Sequence, residues 1–141
     1  NRSYRGKSVK TANKADLQTV IDTKAAMGDK PVITVVNAGK PFVPEFEPYS
    51  DVILVSFGCQ NQAILDLISG VVEPSALLPM QLPADMKTVE LQKEDVPFDM
   101  ECYVDSEGNA YDFAFGLNWS GRINDERVKK ISFIMVMTCS R

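Results

Sequence analysis

Two stretches, Pro31-Val32-Ile33-Thr34-Val35-Val36-Asn37 and Asp51-Val52-Ile53-Leu54-Val55-Ser56-Phe57, decide the fold. Both are nearly unbroken apolar runs rich in β-branched side chains. A strand with one wet face alternates apolar and polar residues, whereas a parallel strand covered on both faces reads as a continuous run. Upstream, Leu17, Val20, Ile21, Lys24 and Ala25 place a mainly apolar stripe on one face of a helix from about Lys14 to Met27. Asn13 stands where a cap is expected, and Gly28-Asp29 stops the helix. Between the runs, Asn37 to Pro41 signals a turn. Pro41, Pro44 and Pro48 allow at most a short helix around Val43 to Phe46. Downstream, Gly58 turns the chain into a helix over Gln60 to Ile68, with Ala63, Ile64, Leu67 and Ile68 inward and Gly70 at its end. This alternation predicts an α/β fold with a mainly parallel sheet and helices on both faces, a three-layer α/β/α sandwich. From Val71 to Asp105 the recurring Pro74, Pro79, Pro83 and Pro97, with dense charge from Asp85 to Asp95, predict a long surface excursion with little regular structure. The aromatic segment Tyr111 to Trp119 fits a short strand or a docking segment.

The 141 residues suit one domain, and 45% hydrophobic residues can build a core. A net charge of −4, with Lys and Arg scattered, argues against a nucleic-acid partner. The longest apolar stretch, Ile131 to Met137, is too short to span a bilayer, so no membrane partner is expected. The chain has no His, the commonest general base and metal ligand. Cys59, Cys102 and Cys139 lie far apart with no zinc or redox spacing, and read as free thiols. No glycine-rich dinucleotide or phosphate loop is present, so neither cofactor nor metal is expected. No signal peptide precedes the first helix, but Asn1 is not an initiator Met, and the compartment stays open.

The turn Phe57 to Gln62 sits between a strand end and a helix start, where open α/β sheets bind ligands. Helix N-terminal amides there can hold an anion or a sugar hydroxyl, and Gln60 and Asn61 are the candidate substrate-binding residues. The competing reading is a purely structural turn. Cys59 lacks an activating His. Asp16, Asp22 and Asp29 read as solvated helix charges. Glu45 and Glu47 lie between prolines and Asp51 precedes a strand, none with a visible electrostatic partner. The residues therefore assign no catalytic group.

Four segments, in order, resemble the C-terminal domain of family 3 glycoside hydrolases. Pro31 to Pro41 looks like the strand and turn that open that domain's core. Asp51 to Phe57 with Gly58, Ala63, Asp66 and Gly70 resembles its next strand, glycine turn and Ala-x-x-Asp-x-x-x-Gly helix. Gly70 to Pro83 resembles its Gly-x-x-x-Pro-Ser-Gly-Lys/Arg-Leu-Pro-x-x-x-Pro signature, and Phe113 to Trp119 its closing Phe-Gly-Tyr/Phe-Gly-Leu-Ser-Tyr segment. This sequence departs from the pattern at Ala76 and Ala114, where Gly is usual, and at Leu77, where a basic residue is usual. The resemblance implies a parent enzyme that hydrolyses terminal β-linked sugars by the retaining route. Its nucleophile would lie in a preceding barrel domain, and its acid/base Glu in a loop before the first helix. No Glu occurs before Glu45, so neither catalytic role carries over to this chain.

The resemblance also implies a domain over residues 1–128, N-terminally incomplete, with a tail at 129–141 of unrecognised origin. The implied partners are the barrel domain and a carbohydrate. A missing neighbour would leave a sheet edge open to self-association, with Ile131 to Met137 as one possible replacement strand. Two rival readings are a freestanding module that binds a sugar or other small molecule at the Gly58 turn, and a structural or interaction domain.

Overall fold

The structure is a computed structural model that describes residues 13–93, 96 and 98–130. The chain divides into two compact units. One holds the residues up to Gly58 together with Gln81–Tyr111, the other Cys59–Met80 together with the residues from Asp112 on.

The first unit opens with helix α1, Lys14–Met27. Leu17, Val20, Ile21 and Lys24 are partly covered, while Ala25 and the remaining positions are exposed. The expected stripe is therefore present, though thin. Asn13 caps α1 through its backbone, its carbonyl accepting from Leu17 N at 3.0 Å, while its side-chain amide donates to Asp16. Strands β1, Ile33–Asn37, and β2, Val52–Ser56, pair in parallel, as the two apolar runs predict. Val52 N donates to Val32 O and Ala38 N to Ser56 O. In a parallel ladder this register turns the even-numbered residues of β1 toward β2. The N–H and C=O of Ile33, Val35 and Asn37 then point to the opposite edge, where no strand pairs among the described residues. The two covered faces expected for β1 are seen only in part among the described residues. Ile33 and Val35 are 38% and 40% exposed, because the described residues leave that face open to solvent.

The connection between the strands carries a single 3-10 turn, Glu47–Tyr49, rather than the helix expected at Val43 to Phe46. Val43 precedes Pro44, and a residue before proline is biased away from the helical region. Pro48 sits in the first turn, where a missing N–H costs nothing. Pro44 is fully buried, and Val32, Ala38, Val43, Phe46 and Leu82 form the rest of this unit's apolar core.

The stretch expected to lack regular structure is more ordered than its prolines suggest. Helix α3, Met86–Leu91, starts on Asp85, whose carboxylate accepts from Thr88 N at 2.7 Å. This is an N-cap, and the Asp85/Thr88 spacing is its sequence signal. Leu82 donates its N–H to Tyr111 O and accepts from Tyr103 N, and Tyr111 N donates to Tyr103 O.

In the second unit, helix α2 spans Asn61–Ile68 close to its expected bounds. Strands β3, Leu117–Asn118, and β4, Gly121–Arg122, form a hairpin whose first strand lies in the aromatic segment. The two motifs that follow α2 in the resemblance meet here. Leu78 N donates to Phe115 O at 2.7 Å, and Ala114 N donates to Leu78 O at 2.9 Å. Gly116 lies so close to the signature that an added Cβ would stand 2.4 Å from Ala76 O. The Arg122 guanidinium covers the buried Phe115 ring at 5.7 Å. Ala114 has φ 68°, the left-handed region that explains why Gly is usual at this place in the pattern. The tail segment Ile131 to Met137 and Cys139 lie outside the described residues.

Two substitutions separate space from strain in this unit. Gly116→Ala drives a methyl into a backbone carbonyl that cannot swing away, and the expected loss is roughly 1–3 kcal/mol. Ala114→Gly removes a left-handed penalty of about 1–2 kcal/mol while losing a similar sum from methyl burial and chain entropy. Urea unfolding should therefore show a large drop for the first and almost none for the second. Equal losses would contradict this account.

Candidate functional site

The strand-end turn after β2 is pinned on its first half. The Asn37 side chain, at the end of β1, accepts from Gly58 N at 3.1 Å, and Gly58 has φ 88°. A glycine suits this turn because L side chains rarely adopt that angle. Gly58 closes the first unit and Cys59 opens the second. In the second unit Gln60 is the N-cap residue of α2, with extended backbone and no side-chain cap bond. Gln60 and Asn61 are both exposed, and neither side chain has a hydrogen-bond partner among the described residues. Cys59 is exposed. The structure thus places the two candidate residues together at a helix start, with their amides available.

Several of the carboxylates singled out in the sequence, among them Asp22, Glu47 and Asp51, have structural partners instead. Asp51 Oδ2 accepts from Lys24 Nζ and from Val32 N, each at 2.7 Å. The Lys24 hydrogen bond first, and the Val32 amide second, hold its carboxyl below the usual carboxylate range. Glu47 Oε2 accepts from Tyr103 Oη at 2.9 Å. Asp22 accepts from Gln18 Nε2 at 2.8 Å. Among the described residues no group of three His, Cys, Asp or Glu is placed to hold a metal.

Two features of the first unit had no strong sequence signal. A cavity of about 650 Å³ touches four successive residues, Thr34 to Asn37. Successive strand residues point to opposite faces, so a cavity reaching all four runs along the free edge of β1. Asp16 and Val20 of α1 line one wall, and Lys40, Phe42 and Phe46 line another, the two rings stacked 6.0 Å apart. The second feature is a tyrosine pair. Tyr103 and Tyr111 stand with ring centroids 5.4 Å apart. Burial, then the Glu47 hydrogen bond, push the Tyr103 phenol up to about 12. Burial and the nearby Asp105 raise Tyr111 as well. Asp105 in turn accepts from Glu107 N and Asn109 N and closes the loop between the two tyrosines. The Asp105-Ser106-Glu107-Gly108-Asn109 stretch is the turn signal from which the loop could have been read.

The tyrosines make a pH test possible. A phenol raised in the folded state favours folding while it stays protonated. That contribution is complete below the unfolded value near 10 and disappears as pH rises through about 12. Stability should therefore fall between about pH 10 and pH 12, and Tyr103→Phe should flatten part of that fall. At neutral pH the same variant loses one hydrogen bond, a cost of roughly 0.5–1.5 kcal/mol. Thermal melts across this range, with phenolate absorbance followed alongside, check both parts.

The comparisons with known proteins agree with the motif order. The model of the Glycosyl hydrolase family 3 C-terminal domain matches residues 6–119. Beta-glucosidase C of Emericella nidulans is 40% identical over 72 residues, which are 50% of this chain and 12% of that protein. Probable beta-glucosidase C of Aspergillus flavus and of Aspergillus oryzae are each 34% identical over 89 residues, 63% of this chain and 13% of theirs. The matched stretch is thus a small part of each relative. No solved structure matches the chain at a significant level.

Proposed function

Because the chain belongs to the glycosyl hydrolase family 3 C-terminal domain family, we propose that it is part of an enzyme that hydrolyses terminal β-linked sugars by a retaining mechanism. The observation that carries this reading is the family match over residues 6–119, which contains all four motifs in their order. The names of the relatives support a β-glucoside as the substrate class. In this reading residues up to about 128 form part of a three-layer α/β/α sandwich. A companion barrel domain supplies the nucleophile. The chain's own share is to close and shape the sugar site from one side, with Gln60 and Asn61 meeting sugar hydroxyls. The open edge of β1 also favours self-association of the isolated chain, through unpaired backbone groups and the exposed Ile33 and Val35.

A retaining glycosidase needs two carboxyl groups about 5–5.5 Å apart across the scissile bond. Asp51 and Glu47 are each held by structural partners, and no Glu precedes Glu45 to supply the acid/base role. The purified chain should therefore not hydrolyse aryl β-glycosides. Turnover above a matched blank that survives repurification would sink the proposal that the chemistry lies elsewhere.

The sugar contact is tested in the parent enzyme. Replacing both Gln60 and Asn61 by Ala removes two hydrogen bonds of about 0.5–1.5 kcal/mol each. The KM for a β-glucoside should rise by roughly tenfold with little change in melting temperature. An unchanged KM would leave the turn with a structural role only.

A further inference from the structure

The chain contains one tryptophan, and it stands at the tip of a hairpin with 64% of its surface exposed. Trp119 and Ser120 are the two loop residues between β3 and β4, since Asn118 pairs with Gly121. At the hairpin tip the structure fixes two polar side chains by bonds to the backbone. Glu73 Oε1 accepts from Trp119 N at 3.3 Å, which ties residue 73 to the hairpin tip and leaves the other carboxylate oxygen as an acceptor. Asn118 Oδ1 accepts from Ser120 N at 2.9 Å, so the Asn118 amide presents its Nδ2 as a donor with no partner among the described residues. Gly121, at φ 107°, closes the turn.

We propose that Trp119, with Glu73 and Asn118, forms a surface contact site for β-linked gluco-oligosaccharides. The proposal rests on the family reading for its substrate class, but on this hairpin for its place. A pyranose ring has an apolar face of C–H groups and an equatorial rim of hydroxyls. An exposed indole offers a flat apolar face of matching size. A carboxylate oxygen and a primary amide beside it supply an acceptor and a donor for the rim, and charge-assisted bonds to the carboxylate are the stronger ones. Protein-docking tryptophans usually lie in pockets stripped of such polar neighbours. The fixed backbone of the tip also means that little order is lost on binding.

Because Trp119 is the single tryptophan, its emission reports the site directly in the full chain. Titration with cellotetraose should quench and blue-shift the emission along a saturable curve, while maltotetraose, with α linkages, produces a shift at least several-fold weaker. In affinity electrophoresis through a gel containing a soluble β-glucan, Trp119→Ala should lose at least tenfold in retardation. Trp119→Phe should keep part of it, and Glu73→Gln should lose a few-fold, with far-UV circular dichroism unchanged in all three. The proposal falls if the folded chain shows no emission change with cellotetraose, or if Trp119→Ala is retarded as strongly as the parent chain. It falls equally if the emission is already blue-shifted in a concentration-dependent way, which would mean that another protein surface covers the indole. Binding is read here without turnover, so its failure would leave the assignment to a β-glycoside hydrolase untouched.

Discussion

Parallel strands cannot be joined by a tight turn, and the long connection they require governs the first unit. The chain must leave the end of β1, travel back along its length and enter β2 from the same end, without unsatisfied backbone groups along the way. Proline resolves part of that demand, because Pro41, Pro44 and Pro48 have no N–H to satisfy and each fixes its own φ. The entry to β2 is then held by Asp51. Its N–H donates to the Val32 carbonyl at 2.9 Å, and its carboxylate accepts the Val32 amide and the Lys24 ammonium. One residue thus joins helix α1, the start of β1 and the start of β2. The ion pair alone is exposed and contributes little. The amide bond sets the register, and a one-residue slip would exchange the open and covered faces of β1.

Among the described residues the second unit has no comparable sheet. Its organisation depends on Leu78 exchanging two backbone bonds with Ala114 and Phe115, far apart in sequence. Pro74 and Pro79 flank that exchange, and the Arg127 guanidinium fixes the signature further by donating to Ser75 O at 2.7 Å. Close approach at Gly116 and the left-handed Ala114 follow from the same contact: the chain must turn sharply to bring Phe115 inward while Gly116 passes the Ala76 carbonyl. The residues that resemble a family signature are therefore a packing device with a definite partner, the closing segment.

The elements that were legible in the sequence are those whose pattern is local. Helices α1 and α2 and both strands of the parallel pair lie within about two residues of the bounds that periodicity gives. What escaped depends on contacts between distant residues. The short turn moved from Val43 to Glu47 because Pro44 restricts Val43, a neighbour effect that outweighs the apolar pattern. The stretch rich in proline and charge holds α3 and a network through Leu82, since prolines can border an ordered ladder without entering its donors. The Glu47–Tyr103 bond spans 56 positions, and no spacing rule could have paired them. Of the candidate site, the glycine turn was legible from its conformation, whereas the Asn37 side chain that pins it was not.

The acidic residues show how the chain's chemistry is distributed. The chain's net charge is −4, yet its best-placed carboxylates act as acceptors for backbone and side-chain donors. Asp51 and Asp85, engaged by such donors, are held below the usual carboxylate range and are poor proton donors at neutral pH. A general acid needs the opposite environment, an apolar one that raises its pKa. The phenols of Tyr103 and Tyr111 are pushed upward, far beyond the range useful for acid–base work near neutrality. The exposed Gln60 and Asn61 amides, by contrast, are neutral; they can pair with hydroxyls but transfer no proton near neutrality.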